Sequence, residues 1–302
     1  MDLDPIRLGY NNTHLVKPSD TMSARRPEHI APPEIFYDHD EANKYTQNTR
    51  IIAIQETMTY RALDLLGFSE KDGPQLILDL GCGSGLSSQC LEDSGHRWVG
   101  VDISDAMISV AMERRRVDEL ENLEIIKNDM GDGLPFKPGS FDGAISISAL
   151  QWLCNADKRD HNPSKRLHNL FSTLYTCLTR EGRAVFQFYP ENPKQMELIN
   201  QQALRAGFTG GIVVDNPDST KTKKFFLVLS CGGTSFRMPK PINDAEEDEQ
   251  IRNEKRRKMK NSKKNGFKSR DWILKKKERQ RRKGEETRPD SRYTGRKRSG
   301  RF

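Results

Sequence analysis

Across its 302 residues the chain carries 50 Lys and Arg against 43 Asp and Glu, a formal net charge of +7. The charge is unevenly placed, because residues 255–302 hold 22 Lys and Arg and only 5 Asp and Glu, which leaves residues 1–254 net acidic. That length suits one sizeable domain with appendages. No apolar run is long enough for a membrane helix, and five cysteines, Cys82, Cys90, Cys154, Cys177 and Cys231, in no C-x-x-C pair exclude a disulfide scaffold or zinc motif of this chain's own.

In chain order, residues 1–37 are polar and rich in proline and are expected to form an irregular arm. From Asp38 to Leu66 neither proline nor glycine occurs. Ile51, Ile54, Met58, Ala62 and Leu65 recur at helical spacing there, predicting one amphipathic helix that ends near Gly67. Then "QLILDL", a short continuous apolar run, reads as a strand buried on both faces of a sheet. A helix through "LSSQCLEDSG", a strand "RWVGVDI" and a helix from Ser104, as its N-cap, to about Glu119 follow. The strands "LEIIKND" and "FDGAISIS", a helix over Lys165 to Leu178, a strand "GRAVFQFY" and a helix over Pro193 to Ala206 continue the alternation. "IVVDNPDSTKTKKFFLVLSCG" predicts two strands around a polar turn. The expectation is a doubly wound α/β domain over 38–232, with a seven-stranded, mostly parallel sheet.

Beyond residue 233 an acidic block, "NDAEEDEQ", is followed at once by basic clusters. Opposite charges so arranged belong to solvent or to a partner rather than a core. Within this tail Arg270 to Lys283 reads as a cationic helix, with Trp272, Ile273 and Leu274 as a small apolar anchor. So basic a segment implies a polyanionic partner, nucleic acid being the natural one, and also reads as a nuclear-targeting signal.

Chemistry enters at "LDLGCGSGLSS". A strand, a glycine-rich turn and a helix leave open backbone amides at the carboxyl edge of a sheet, where nucleotide-like ligands bind. The spacing is wrong for G-x-G-x-x-G, because Leu86 stands where the third glycine belongs, and it lacks the Gly-Lys of a P-loop. The pattern Asp79-x-Gly81-x-Gly83-x-Gly85 instead resembles motif I of class I S-adenosylmethionine-dependent methyltransferases. Two further acids stand at successive strand ends, Asp102 followed by Ile103 in "VGVDIS" and Asp129 followed by Met130 in "KNDM". The resemblance implies that Asp102 accepts from the two ribose hydroxyls, that Asp129 meets the adenine amino group, and that Met130 packs on the ring. It implies that the glycines let the cofactor approach the backbone. Tyr45 resembles the tyrosine that covers the methionine end in many such enzymes, and reads equally as a half-buried amphipathic aromatic.

The stretch after the fourth strand, "SISALQWLCN", has no N-P-P-Y or D-P-P-Y clamp for exocyclic amines and no Pro-Cys for attack on cytosine carbon 5. An acceptor that needs no general base remains, such as guanine N7, whose in-plane lone pair bears no proton. Trp152 is then the candidate stacking platform and Gln151 the candidate edge contact, against a plain core or partner-facing aromatic for Trp152.

The segments "RPEHIAPPEIFYD", "YTQNTRII", "LDLGCGSGLS", "ISISALQWLCN" and "KSRDWILKKKERQRRKGEETRPDSRYTGRKR" resemble the eukaryotic small-subunit rRNA guanine-N7 methyltransferases. This likeness implies an S-adenosylmethionine-dependent enzyme of 40S subunit biogenesis that acts on small-subunit rRNA in the nucleus and nucleolus. It also implies a small zinc-containing activator subunit as partner. The rivals are a small-molecule methyltransferase, which has no need of such a tail, and a pre-ribosomal RNA-binding assembly factor whose role does not require catalysis.

Overall fold

A computed structural model describes residues 26–69, 72–118, 124–219, 222–232, 237–242 and 287–290, with residues 274, 277 and 281. The chain forms two compact units that divide after Pro241.

The larger unit holds a seven-stranded sheet in the order β3-β2-β1-β4-β5-β7-β6. The strands are β1 (Leu76–Leu80), β2 (Arg97–Asp102), β3 (Glu124–Lys127), β4 (Phe141–Ile147), β5 (Leu178–Phe188), β6 (Thr209–Asp215) and β7 (Lys224–Ser230). The first five pair in parallel, while β7 runs antiparallel to both β5 and β6. Because strand side chains alternate, each central strand feeds two cores. Leu78, Leu80, Ala144, Phe186 and Phe188 pack with Leu167, Leu170, Phe171 and Leu174 on one face. Ile77, Ile145 and Val185 pack with Met58, Ala62, Leu65 and Leu66 on the other. This double coverage is why the strands read as unbroken apolar runs.

The helices are α1 (Pro33–Phe36), α2 (His39–Gln47), α3 (Thr49–Leu66), α4 (Ser88–Asp93), α5 (Asp105–Asp118), α6 (Pro163–Cys177) and α7 (Pro193–Arg205). Their ends follow capping chemistry. Ser104 Oγ accepts from Met107 N at the start of α5, and Asn162 and Asn192 accept from Lys165 N and Gln195 N, each just before a proline. Gly67 closes α3 in the left-handed region, with φ +68°.

Three expectations are corrected. The helix expected over Asp38 to Leu66 is two, because Asn48 leaves helical geometry (ψ 104°) and its side chain accepts from Arg50 N and Ile51 N, capping a second helix. An Asn can take the middle of a periodic pattern and still end it. Strand β5 begins at Leu178 rather than Gly182, since Leu178 pairs with Phe141 ahead of a register shift. The proline-rich arm is structured from Arg26 onward: a 3₁₀ turn at Pro27–His29 and α1 lie on the domain. There Arg26 Nη1 donates to Tyr189 O (2.8 Å) and Asn155 Nδ2 to Glu28 O (2.9 Å).

In the second unit Leu274, Lys277 and Arg281 are helical. Lys277 Nζ and Arg281 Nη2 both reach the Asp290 carboxylate, at 2.9 and 2.7 Å, and these hydrogen bonds hold its pKa below the ordinary value. These three residues fall within the expected cationic helix. The remainder of that helix, most of the basic tail and residues 1–25 lie outside the described residues.

Replacing Asn48 by Ala removes the side-chain acceptor that separates α2 from α3. Urea unfolding should show a loss of about 1 kcal/mol. An unchanged midpoint would contradict the capping role.

Candidate active site

A cleft opens at the carboxyl ends of β1 to β4. Its floor is the turn after β1. Gly81, Gly83 and Gly85 all have positive φ, +71°, +55° and +72°, which glycine alone adopts without strain. They nevertheless do different things. A Cβ on Gly81 would collide with Ala149 Cβ, so this glycine makes room for the loop after β4 as well as lining the cleft. Gly83 lines the cleft, and a Cβ there would make only ordinary contact, with Met107 Sδ. Gly85 is not part of the lining; it shapes the turn, with Ser88 and Ala111 behind it.

The sequence-expected acids converge here. Asp79, at 1 % exposure, lines the cleft and accepts a very short hydrogen bond from Ser87 Oγ. Burial raises its pKa to about 7; the Ser87 hydrogen bond opposes this rise and the Asp102 charge adds to it. Asp102 accepts from Gly83 N through Oδ2 (2.7 Å) and from Ser104 N through Oδ1 (2.9 Å). Its pKa is also raised by burial, against the pull of those backbone amides. Each Asp102 oxygen keeps a second lone pair, so the group remains a double acceptor. Ile103, Asp129 and Met130 line the same cleft, with Asp129 capping the 3₁₀ turn Met130–Asp132 through Gly131 N (2.8 Å).

Above the floor, Tyr45 on α2 lines the cleft, its hydroxyl accepting from Gln55 Nε2 (2.7 Å). Burial pushes that phenol up to about 12, so it stays protonated. Trp152, in the 3₁₀ turn Leu150–Cys154, lines the cleft at 8 % exposure, with the rings of Phe36 and Tyr37 at 6.1 and 5.9 Å. It is therefore part of an aromatic wall, with the arm packed against it. Gln151 departs from expectation: it is buried, donates to Ser148 O (2.8 Å), receives Tyr189 N (3.5 Å) and does not line the cleft. A side chain committed to its own backbone surroundings has no free edge for a ligand.

Sequence reasoning missed Tyr37, Ser87 and Arg166. Tyr37 comes from the arm, and its carbonyl receives Ser104 Oγ at 3.2 Å. Arg166 comes from α6 and pairs with Asp129. Neither has a local signal, because each reaches the cleft only through the tertiary fold. Among the described residues no group of three or more His, Cys, Asp or Glu could hold a metal.

A buried and a half-buried carboxylate beside a glycine turn suit a cation-bearing nucleoside ligand. In comparisons with known proteins, the profile described as "Methyltransferase domain" matches residues 77–182 and that described as "Methyltransferase involved in Williams-Beuren syndrome" matches residues 229–300. The 18S rRNA (guanine-N(7))-methyltransferase of Mus musculus is 52 % identical over 284 residues, covering 92 % of this chain and 99 % of that one. The corresponding proteins of Arabidopsis thaliana and Saccharomyces cerevisiae are 50 % and 46 % identical, again over 92 % of this chain and 100 % and 99 % of theirs. The chain belongs to the 18S rRNA (guanine-N7)-methyltransferase family.

Within an 18S rRNA (guanine-N7)-methyltransferase the Asp79 carboxyl has a testable signature. Its folded pKa, raised to about 7, lies above that of an unfolded aspartate near 4. Its contribution to stability is therefore fully present below about pH 4 and is lost as pH rises towards 7. Asp79→Asn should remove this loss, so urea unfolding of the ligand-free protein should favour the variant progressively between pH 4 and 8. Parallel pH profiles would contradict the assignment.

Proposed function

We propose that this chain transfers a methyl group from S-adenosylmethionine to N7 of a guanosine in 18S rRNA during small-subunit biogenesis. The observation that carries this reading is the 46–52 % identity to enzymes of that name over 92 % of the chain. The cleft supports it residue by residue. Bound there, S-adenosylmethionine supplies a sulfonium methyl group, whose carbon–sulfur electron pair stays on sulfur when N7 attacks.

The protein's part is alignment and electrostatics. Asp102 offers two acceptors to vicinal hydroxyls, and Asp129 with Met130 stands where a purine edge and face are read. Asp79 lies beneath the turn, and Tyr45 covers the opposite side. The Trp152 wall offers a face against which a second flat base can stack. N7 carries no proton, so the site requires no general base. This accords with the raised pKa of Tyr45, which keeps a phenol rather than a phenolate there.

The reading extends to partners and place. Residues 255–302, with 22 basic side chains, would add sequence-independent affinity for RNA through counterion release, and their clusters suit nuclear and nucleolar targeting. A small zinc-containing activator subunit is supported by apolar surface at one end of the sheet. Edge strand β3 has Ile126 at 38 % exposure, and α5, packed beside it, exposes Met112 at 39 %. An open edge with exposed apolar residues suits strand addition by another protein. Ile126→Asp should abolish co-purification of that subunit; undiminished co-purification would overturn this docking surface.

Borohydride and aniline cleave RNA at 7-methylguanosine, so primer extension on 18S rRNA reads the modification directly. Depleting the protein should remove one stop, and wild type but not Asp102→Ala should restore it. A stop that persists on depletion would overturn the guanine-N7 reading and favour a metabolite enzyme or a non-catalytic assembly factor.

A further inference from the structure

Of the five acids that line the cleft, the three at strand ends are not treated alike. Asp79 and Asp102 face no Lys or Arg among the described residues, whereas Asp129 is paired with Arg166. Arg166 Nη2 donates to Oδ1 and Oδ2 of Asp129, each at 2.7 Å, with both side chains largely out of solvent. Its Nη1 lies 3.1 Å from His161 Nδ1, while its Nε has no partner among the described residues and lies against Gly131. A Cβ on Gly131 would collide with the guanidinium, so the backbone here is shaped around Arg166. The neighbouring amide, Gly131 N, donates to Asp129 Oδ1 (2.8 Å).

A carboxylate oxygen has about two lone-pair sites. Oδ1 spends both, on Gly131 N and on Arg166 Nη2, whereas Oδ2 spends one on Arg166 and keeps one. Both Asp129 and Arg166 line the cleft. Asp157 lines the same cleft within electrostatic reach of both Arg166 and Asp129, so it is the geometry of the pair, rather than a neutral end, that singles out Asp129.

We infer that Arg166 is a positioning residue, which pins the Asp129 carboxylate so that its one spare Oδ2 lone pair selects a 6-amino over a 6-oxo purine in the cofactor. The inference rests on the reading that Asp129 faces the purine. A hydrogen bond to a charged acceptor is lost, and two acceptors confront each other, when the amine becomes a carbonyl, so discrimination of about thirty-fold is expected.

The test is the ratio of affinities, by calorimetry on the full-length chain, for S-adenosylhomocysteine and its 6-oxo counterpart S-inosylhomocysteine. Wild type should prefer the amino compound about thirty-fold, and Asp129→Asn should lose that preference. Arg166→Met should reduce it below about three-fold, chiefly by weakening the amino compound. General loosening of the fold would weaken both ligands together and leave the ratio alone. Should Arg166→Met fail to fold by circular dichroism, Arg166→Gln is read by the same ratio. No preference in wild type overturns the Asp129 reading, and the inference with it. A preference lost in Asp129→Asn but retained in the Arg166 variant overturns the inference alone.

Discussion

The site depends on holding Asp79, buried, and Asp102, half-buried, side by side without a protein cation among the described residues. A buried carboxylate is costly unless hydrogen-bonded, and the fold offsets that cost with small donors: the Ser87 hydroxyl for Asp79, and the amides of Gly83 and Ser104 for Asp102. These donors come from the turn after β1 and the start of α5, so the positive-φ glycines and the Ser104 cap are parts of one electrostatic arrangement. What remains is residual negative potential pointing into the cleft. The raised pKa values of both acids express the same strain, and a ligand bearing ammonium and sulfonium charge relieves it.

The rest of the larger unit holds this arrangement in place. The apolar strands β1 and β4 end in the cleft because each is covered on both faces, which leaves only their carboxyl edge to meet a ligand. The arm from Arg26 to Tyr37 then adds an aromatic wall by hydrogen-bonding across to Asn155, Ser104 and Tyr189. Trp152 is held between that wall and the core.

Much of this was legible in the sequence, for physical reasons that differ by element. Strands β1, β2 and β4 declare themselves because double burial demands largely apolar runs, and Asp79 and Asp102 stand out because each follows such a run, while Asp129 follows the short edge strand β3. The glycines were legible as a turn, but not that Gly81 yields to Ala149 or that Gly85 stays behind the lining. Asn48 was hidden because side-chain capping competes with helical periodicity that is satisfied on both sides. Tyr37 and Arg166 were illegible because no periodicity brings an arm and a helix 129 positions apart into one cleft. Gln151 misled for the converse reason: its neighbour Trp152 does face the cleft, and a 3₁₀ turn points adjacent side chains in different directions.

The most direct test of the account is a crystal structure of the protein with S-adenosylhomocysteine. It should show both ribose hydroxyls within hydrogen-bonding distance of Asp102, with the purine edge at Asp129 and the amino-acid end over the turn at Gly81 and Gly83. A nucleoside bound elsewhere, or in the cleft with its ribose hydroxyls turned away from Asp102, would contradict it.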